Sequence, residues 1–215
     1  MDVVVLGGHG KIGLRLLRLL AEGGHRARGI VRKTEQEADL VEVGAEAIVL
    51  DVENRDIAPE HLDGADAVVF AAGAGPGSGP ERKRTVDYGG AVKLIEAAKA
   101  NGISRYVMVS AMGAGSEPGQ WPEQMRPYYE AKADADRELA ASGLAYTIVR
   151  PGILSDEDAA GRVAVSPNME GAGESVPRAD VAAVLLEVLG ADNTVEKTFD
   201  LLAGPTPIPE AIAAI

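Results

Sequence analysis

The stretch VVVLGGHGKIG, Val3 to Gly13, decides the fold. Val3-Val4-Val5-Leu6 is apolar at four consecutive positions, the pattern of a strand buried on both faces. Gly7, Gly10 and Gly13 end it at three-residue spacing. The helix that follows carries Ile12, Leu16, Leu17, Leu19 and Leu20 on a broad apolar side, with Arg15 and Arg18 opposite. In a strand-turn-helix setting Gly7 permits the tight turn, Gly10 lets backbone approach a pyrophosphate, and Gly13 lets helix and strand pack closely. The helix N-terminus offers free N–H groups and partial positive charge to phosphates. His9, Lys11 and Ile12 fill the same turn and are grouped with the glycines as cofactor-side residues, His9 as part of its lining.

Working outward, His25–Val31 reads as a second strand, Ala47–Leu50 as a third and Ala67–Ala71 as a fourth. Thr34 is the expected N-cap of an intervening helix, with Glu37 completing a capping box. GAGPGSGP, 73–80, is too rich in glycine and proline for regular structure and reads as a mobile loop. Glu81–Asn101 has helical periodicity, Tyr106–Val109 reads as strand five, Met125–Ser142 as helix and Ala145–Val149 as strand six. This alternation predicts an α/β fold, a Rossmann-like doubly wound parallel sheet with helices on both faces. After Arg150 the pattern loosens to a weak strand at Val163–Val165, a helix after Pro177 with Asp180 in its first turn, and a last strand near Phe199–Leu202. Residues 151–215 are too few for a large substrate domain, so the expectation is one domain over 1–215 with a short C-terminal, substrate-side extension.

Composition narrows the functions. The 215 residues carry a formal net charge of −12, which argues against nucleic acid and anionic membranes as partners. The acidity is uneven: residues 1–107 hold 14 basic and 16 acidic side chains, residues 108–215 hold 7 and 17. A polyanion therefore belongs in the first half. With no cysteine there is no disulfide framework or thiol nucleophile, and the three histidines lack metal-ligand spacing, so no metal is expected. The N-terminus lacks a basic segment before its short apolar run, and no stretch is apolar enough to span a bilayer, so the expected location is the cytoplasm.

Strand two ends at Val31 and is followed by Arg32-Lys33, where an NAD site usually carries an acid for the ribose 2′-OH. Two cations there would attract a 2′-phosphate, Arg32 through a bidentate fork, so NADP(H) is expected over NAD(H). Asp51-Val52 after strand three are expected at the adenine edge, although Asp51 could equally cap a helix. Ala71-Ala72-Gly73 after strand four supply the small residues needed beside a cofactor.

These residues, together with VDYGGAVKLIEAAKANGISRYVMVSAMGA, YYEAKADADRELAASGLAYTIVRPG and VPRADVAAVLLEVL, resemble an atypical short-chain dehydrogenase/reductase of the NAD(P)-binding, NmrA-like and epimerase/dehydratase-like group. The resemblance covers nearly the whole chain. It implies that Tyr128 and Lys132 are the Tyr-x-x-x-Lys pair, that Ser110 is the serine closing strand five, and that Asp87 replaces the usual asparagine as fourth member. It also implies that Pro151, Gly152 and Ile153 lie against the nicotinamide. Four residues apart on a helix, Tyr128 and Lys132 share one face. An ammonium and a nicotinamide cation nearby would favour the phenolate, so Tyr128 could shuttle a proton while Ser110 binds the same substrate oxygen. Tyr129 is the alternative tyrosine facing the cleft, and Trp121 is a candidate lid or subunit anchor, with packing against the domain the plainer role; a homodimer stays open. Three functions remain open: an NADP(H)-dependent oxidoreductase on a small carbonyl, quinone or flavin-like compound, an NmrA-type cofactor sensor without turnover, and an epimerase or dehydratase. The substrate itself is not readable from these residues.

Overall fold

Val3, Val4 and Val5 are wholly buried in the computed structural model, which describes residues 1–75, 77–169 and 174–215. Val3 and Val5 of β1 (Asp2–Leu6) pack into one hydrophobic core, Val4 and Leu6 into another, which is the two-sided burial a continuous apolar run requires. α1 (Lys11–Glu22), β2 (Arg26–Val31), α2 (Glu37–Glu42), β3 (Glu46–Val49) and β4 (Ala67–Phe70) follow in order. A short α3 (Pro80–Arg82) runs into a π-helical segment over Lys83–Gly89 and then α4 (Gly90–Ala100). Next come β5 (Arg105–Val109), α5 (Arg126–Ala140), β6 (Ala145–Pro151), β7 (Ile153–Ser155), β8 (Arg162–Ser166) and β9 (Ser175–Pro177). α6 (Arg178–Leu189), β10 (Lys197–Ala203), β11 (Thr206–Pro207) and α7 (Ile208–Ala213) complete the chain.

The main sheet has the order β11-β8-β10-β6-β5-β4-β1-β2-β3, and β7 pairs with β9 in a second, two-stranded sheet. From β3 to β10 every pairing is parallel. This is the doubly wound order, reversing between β1 and β4, and such sheets bind ligands outside the carboxyl ends of their strands. α1, α6 and α7 cover one face; α4 and α5 cover the other.

The expected Rossmann-like, doubly wound sheet is present and mostly parallel, with β8 running antiparallel to β10 and to β11 at one edge. Three expectations need correction. The expected helix over 81–101 is interrupted by the π-helical segment, a device often found where a side chain must be re-aimed, and Asp87 lies within it. Thr34 does not cap α2: residues Thr34–Gln36 form a 3₁₀ turn, and the Gln36 side-chain oxygen accepts the N–H groups of Arg32 and Lys33 at 3.0 Å each. A carboxamide one residue earlier than Glu37 serves this turn because the tighter 3₁₀ geometry brings it back first. β6 continues to Pro151, which sits at the strand end where its missing N–H costs little. Pro76, in the expected mobile loop, and residues 170–173, between the weak strand and the last helix but one, lie outside the described residues.

Candidate functional site

The glycine turn is shaped by exclusion of side chains. Gly7 has φ of 92°, and a Cβ on it would stand 2.6 Å from the Ala72 nitrogen. A Cβ on Gly13 would stand 2.3 Å from the Gly7 carbonyl oxygen, so α1 could not approach β1 with any other residue there. Gly10 donates its N–H to the Gly7 carbonyl at 2.9 Å, and the first helical bond runs from the Leu14 N–H to the Gly10 carbonyl. The amides of Lys11, Ile12 and Gly13 therefore precede the helical ladder, and neither a side-chain cap nor an acidic first turn competes for them. An uncapped, twelve-residue helix facing a cradle without Cβ atoms fits a dinucleotide pyrophosphate.

A cavity opens beside this turn at the carboxyl ends of β1 to β4. Of the residues expected around a cofactor, Gly7, His9, Gly10, Arg32, Asp51, Val52, Ala71, Ala72 and Gly73 line it. Lys11, Ile12, Gly13, Lys33, Pro151, Gly152 and Ile153 are not part of that lining. Ile12 is committed to the core and Gly13 to the strand-helix contact. Gly152 is wedged where a Cβ would meet Leu202 and the Glu174 carbonyl, while Ile153 is 57% exposed. Lys11 pairs with Asp156, which also takes a hydrogen bond from Arg178 at 2.9 Å. Asp51 folds into an Asx turn, accepting the Glu53 N–H at 3.1 Å and the Asn54 side-chain amide at 2.9 Å. His9 is fixed from both sides: the Gln36 amide donates to Nδ1 at 2.9 Å, leaving Nε2–H to donate to Asp39 at 2.6 Å.

The sequence reading missed Gln36, Glu53 and Arg82 in this lining. Gln36 was masked by Thr34 and Glu37, the more familiar capping pair. Glu53 and Arg82 meet only through the fold, from residues 29 positions apart.

A second cluster lies at the ends of β5, β6 and β10 and is deeply buried. Lys132 Nζ stands 3.3 Å from Asp87 Oδ1 as an ion pair and donates to the Val109 carbonyl at 3.2 Å. Their side chains are 5% and 1% exposed. Asp87 Oδ2 accepts the Ala74 N–H at 3.1 Å, tying this cluster to the Gly-rich loop. Ser110 Oγ is buried, and its nearest polar partner is the Asp136 carboxyl, toward which it donates. Tyr128 lies one turn before Lys132 on α5, with the Lys83 ammonium 5.4 Å from its ring centroid.

The expected lowering of the Tyr128 pKa depends on a nicotinamide cation and an available ammonium; the surroundings supplied by the chain itself act the other way. Burial first, then the Asp87 charge, push the phenol well above its ordinary value. Lys132, the cation expected to favour the phenolate, pairs with Asp87 and donates to the Val109 carbonyl. Tyr129 and Trp121 pack together instead of facing a cleft: their ring centroids are 6.1 Å apart, and the Trp121 indole donates to the Gly113 carbonyl at 2.7 Å. Trp121 is 7% exposed, which excludes an exposed anchor.

Beyond Lys132 on the same face of α5, Asp136 accepts a hydrogen bond from Arg150 Nε at 2.8 Å. Arg150 of β6 stands in register opposite Asp200 of β10. Burial raises both carboxyl pKa values, against the pull of Arg150 and the Ser110 hydroxyl on Asp136 and of the Met169 amide on Asp200. Among the described residues Asp200 Oδ1 has no hydrogen-bond partner. Asp136 and Asp200 were not singled out in the sequence, because register alone makes them neighbours.

Asp180, in the first turn of α6 as expected, also receives the amides of Ala160 and Gly161 at 3.0 and 2.8 Å. Among the described residues no group of His, Cys, Asp or Glu is placed to hold a metal ion, and no helix is long and apolar enough to cross a membrane.

Comparison with known proteins agrees with this geometry. Residues 7–192 match the NAD(P)H-binding family. The uncharacterized sugar epimerase YhfK of Bacillus subtilis is 42% identical over 217 residues, covering 99% of both chains. A solved structure from Bacillus halodurans, assigned as an NAD-dependent epimerase/dehydratase, is 42% identical with a TM-score of 0.95 over all of both chains. The oxidoreductase ylbE of Lactococcus lactis is 29% identical with a TM-score of 0.84, covering 100% of this chain and 96% of that one. This chain belongs to the NAD(P)H-binding family, and its likeness to the atypical short-chain dehydrogenases/reductases extends over its whole length.

Proposed function

We propose that this protein is an NADP(H)-dependent oxidoreductase that reduces a small carbonyl, quinone or flavin-like substrate. The observation that carries the reading is the assembly of half-buried Tyr128, the buried Asp87–Lys132 pair and the buried Ser110 hydroxyl at the carboxyl end of β5. A buried hydroxyl keeps a hydrogen bond, and Ser110 would exchange its contact with the Asp136 carboxyl for one to a substrate oxygen. Gly7, His9, Gly10, Lys11, Ile12 and Gly13 would hold the pyrophosphate side, Asp51 and Val52 the adenine edge, and Ala71, Ala72 and Gly73 the wall beside it. Arg32 and Lys33 would receive the 2′-phosphate; Pro151, Gly152 and Ile153 would border the nicotinamide. When bound, the cofactor supplies the hydride.

The raised Tyr128 pKa sets the direction. The rise keeps the phenol protonated at neutral pH, so Tyr128 would enter the reductive direction as a proton donor to the carbonyl oxygen, although each step of the rise weakens it as an acid. Ser110 Oγ would donate to the same oxygen. Lys132, held by Asp87 and Val109, would stabilise the charge left on Tyr128 after transfer.

The test is NADPH oxidation by protein freed of bound cofactor, against a panel of carbonyls, quinones and flavins, with nucleotide sugars as a further arm. Turnover that Tyr128→Phe removes while cofactor affinity is kept supports the reading. Tight cofactor binding with no turnover across the panel would replace it with the NmrA-type sensor, a reading favoured by Lys132 being committed to Asp87. Inversion of a nucleotide sugar without net cofactor oxidation would replace it with the epimerase named in the relatives.

A further inference from the structure

The adenosine end of the cavity contains a carboxylate that the NADP(H) reading does not account for. Glu53 follows β3 and lines the cavity together with Arg32. The Arg32 guanidinium is 3.8 Å from Glu53 Oε2. An acid at this point opposes a 2′-phosphate and accepts a ribose 2′-OH, the task usually given to an acid at the end of β2. In this protein that acid arrives from the turn after β3 because Arg32 occupies the usual place.

Glu53 is not free to act alone. Arg82, on α3, donates to Glu53 Oε2 from Nε at 3.1 Å and from Nη2 at 3.0 Å, while Thr85 donates to Oε1 at 2.9 Å. The remaining Nη1 of Arg82 donates to the Ala74 carbonyl at 3.2 Å, so the guanidinium is held from two sides. Arg82 also lines the cavity. The group facing Arg32 is therefore a neutralised pair, with the carboxylate turned onto Arg82 and both its oxygens occupied.

We propose that Arg82 is a specificity-determining residue, which masks Glu53 and so keeps the ribose pocket receptive to a 2′-phosphate. This rests on the NADP(H) reading for its direction, since Arg32 is the cation being kept available. Without Arg82 the same carboxylate repels the phosphate and competes for Arg32, and the pocket turns toward the unphosphorylated ribose. The effect belongs to Glu53, so removing its charge must cancel it.

The experiment measures binding of 2′,5′-ADP and 5′-AMP by calorimetry, probes that differ only by the 2′-phosphate and do not reach Tyr128. Wild type, Arg82→Gln, Glu53→Gln and the double variant are compared, with Arg32→Gln as a reference. Arg82→Gln is expected to lower the 2′,5′-ADP to 5′-AMP affinity ratio by about tenfold, and Glu53→Gln in that background to return it to near the wild-type ratio. Unmoved thermal unfolding and a 5′-AMP affinity that does not fall in the variants show that the pocket is intact. An unchanged ratio in Arg82→Gln, or a double variant as poor as Arg82→Gln, overturns the proposal. A wild-type ratio near one that Arg32→Gln leaves unchanged would sink the NADP(H) reading instead; the shift between Arg82→Gln and the double variant still decides the masking.

Discussion

The cavity beside the glycine turn, read above as the adenosine end, and the buried cluster after β5, read as the chemical end, handle charge in opposite ways. At the adenosine end Arg32 is 44% exposed and its neighbour Glu53 is 21% exposed. At the chemical end Lys132 and Asp87 are nearly sealed from solvent. Exposed charges interact through water and are worth little to folding, yet they remain available to a ligand. Buried charges lose their hydration, so each must have its partner, and removing one leaves the other stranded. The adenosine end is thus adjustable by substitution, whereas the chemical end is welded into the core.

The sharpest way to break this comparison is to strip one charge from each end. Lys132→Met should cost about 3–5 kcal/mol in denaturant unfolding, because Asp87 is left buried without its cation. Arg32→Gln should change stability by no more than about 0.5 kcal/mol. Adding Asp87→Asn to Lys132→Met should recover much of the loss, since a neutral amide can still accept from the Ala74 N–H. Equal costs at both ends would refute the contrast.

Next in size is Tyr128→Phe. With a substrate in hand, turnover should fall about 10²- to 10⁴-fold while cofactor affinity is unmoved, as expected for loss of a proton donor. Because the phenol pKa is raised in the folded protein, the limb of the pH profile that reports Tyr128 should lie on the alkaline side, with reductase activity retained through neutral pH. A loss of activity beginning below neutrality and absent from the Phe variant would contradict the acid role.

At the adenosine end, Arg32→Gln should weaken NADPH about tenfold, the loss of a charge-assisted phosphate contact, and NADH by much less. Equal weakening of both would show that Arg32 reads something common to the two cofactors.

The same division explains what could be read from residues alone. Local signals carried the fold: VVVL gave β1 because four consecutive apolar residues need two buried faces, and Gly7 and Gly13 marked the turn because no Cβ fits at either. Arg32 was legible because its place after β2 is set by one short strand. Long-range placement was not legible. Glu53 meets Arg82, and Arg150 stands between Asp136 and Asp200, only after the chain is wound and the strand register is set. The π-helical segment that carries Asp87 follows from no local pattern in VDYGG. Charge states failed for the same reason: the spacing of Tyr128 and Lys132 was correct for one helix face, but the direction of the Lys132 side chain depends on Asp87, 45 residues away in sequence.

The smallest expected effect tests whether the sealed end extends to Asp200. Burial raises its carboxyl pKa above the ordinary 3.8, with the Asp136 charge adding to the rise and the Met169 amide and Arg150 opposing it. The folded state then binds this proton more tightly than the unfolded chain does. The group's stabilising contribution is full below the unfolded value and fades as pH rises through the folded one. Asp200→Asn removes that dependence. The stability difference between variant and wild type, followed by denaturant unfolding from about pH 3 to pH 7, should therefore move steadily in the variant's favour as pH rises. The exposed carboxylates Asp156 and Glu46 are shifted downward by Lys11 and Arg26 and slope the other way, but they are present in both proteins and cancel in the difference. Asp136, raised like Asp200, is also common to both, and removing the Asp200 charge eases its ionisation, which adds to the same slope. A difference that stays flat, or turns toward the wild type as pH rises, would mean that Asp200 behaves as an adequately paired acid. The sealed region would then stop at Arg150.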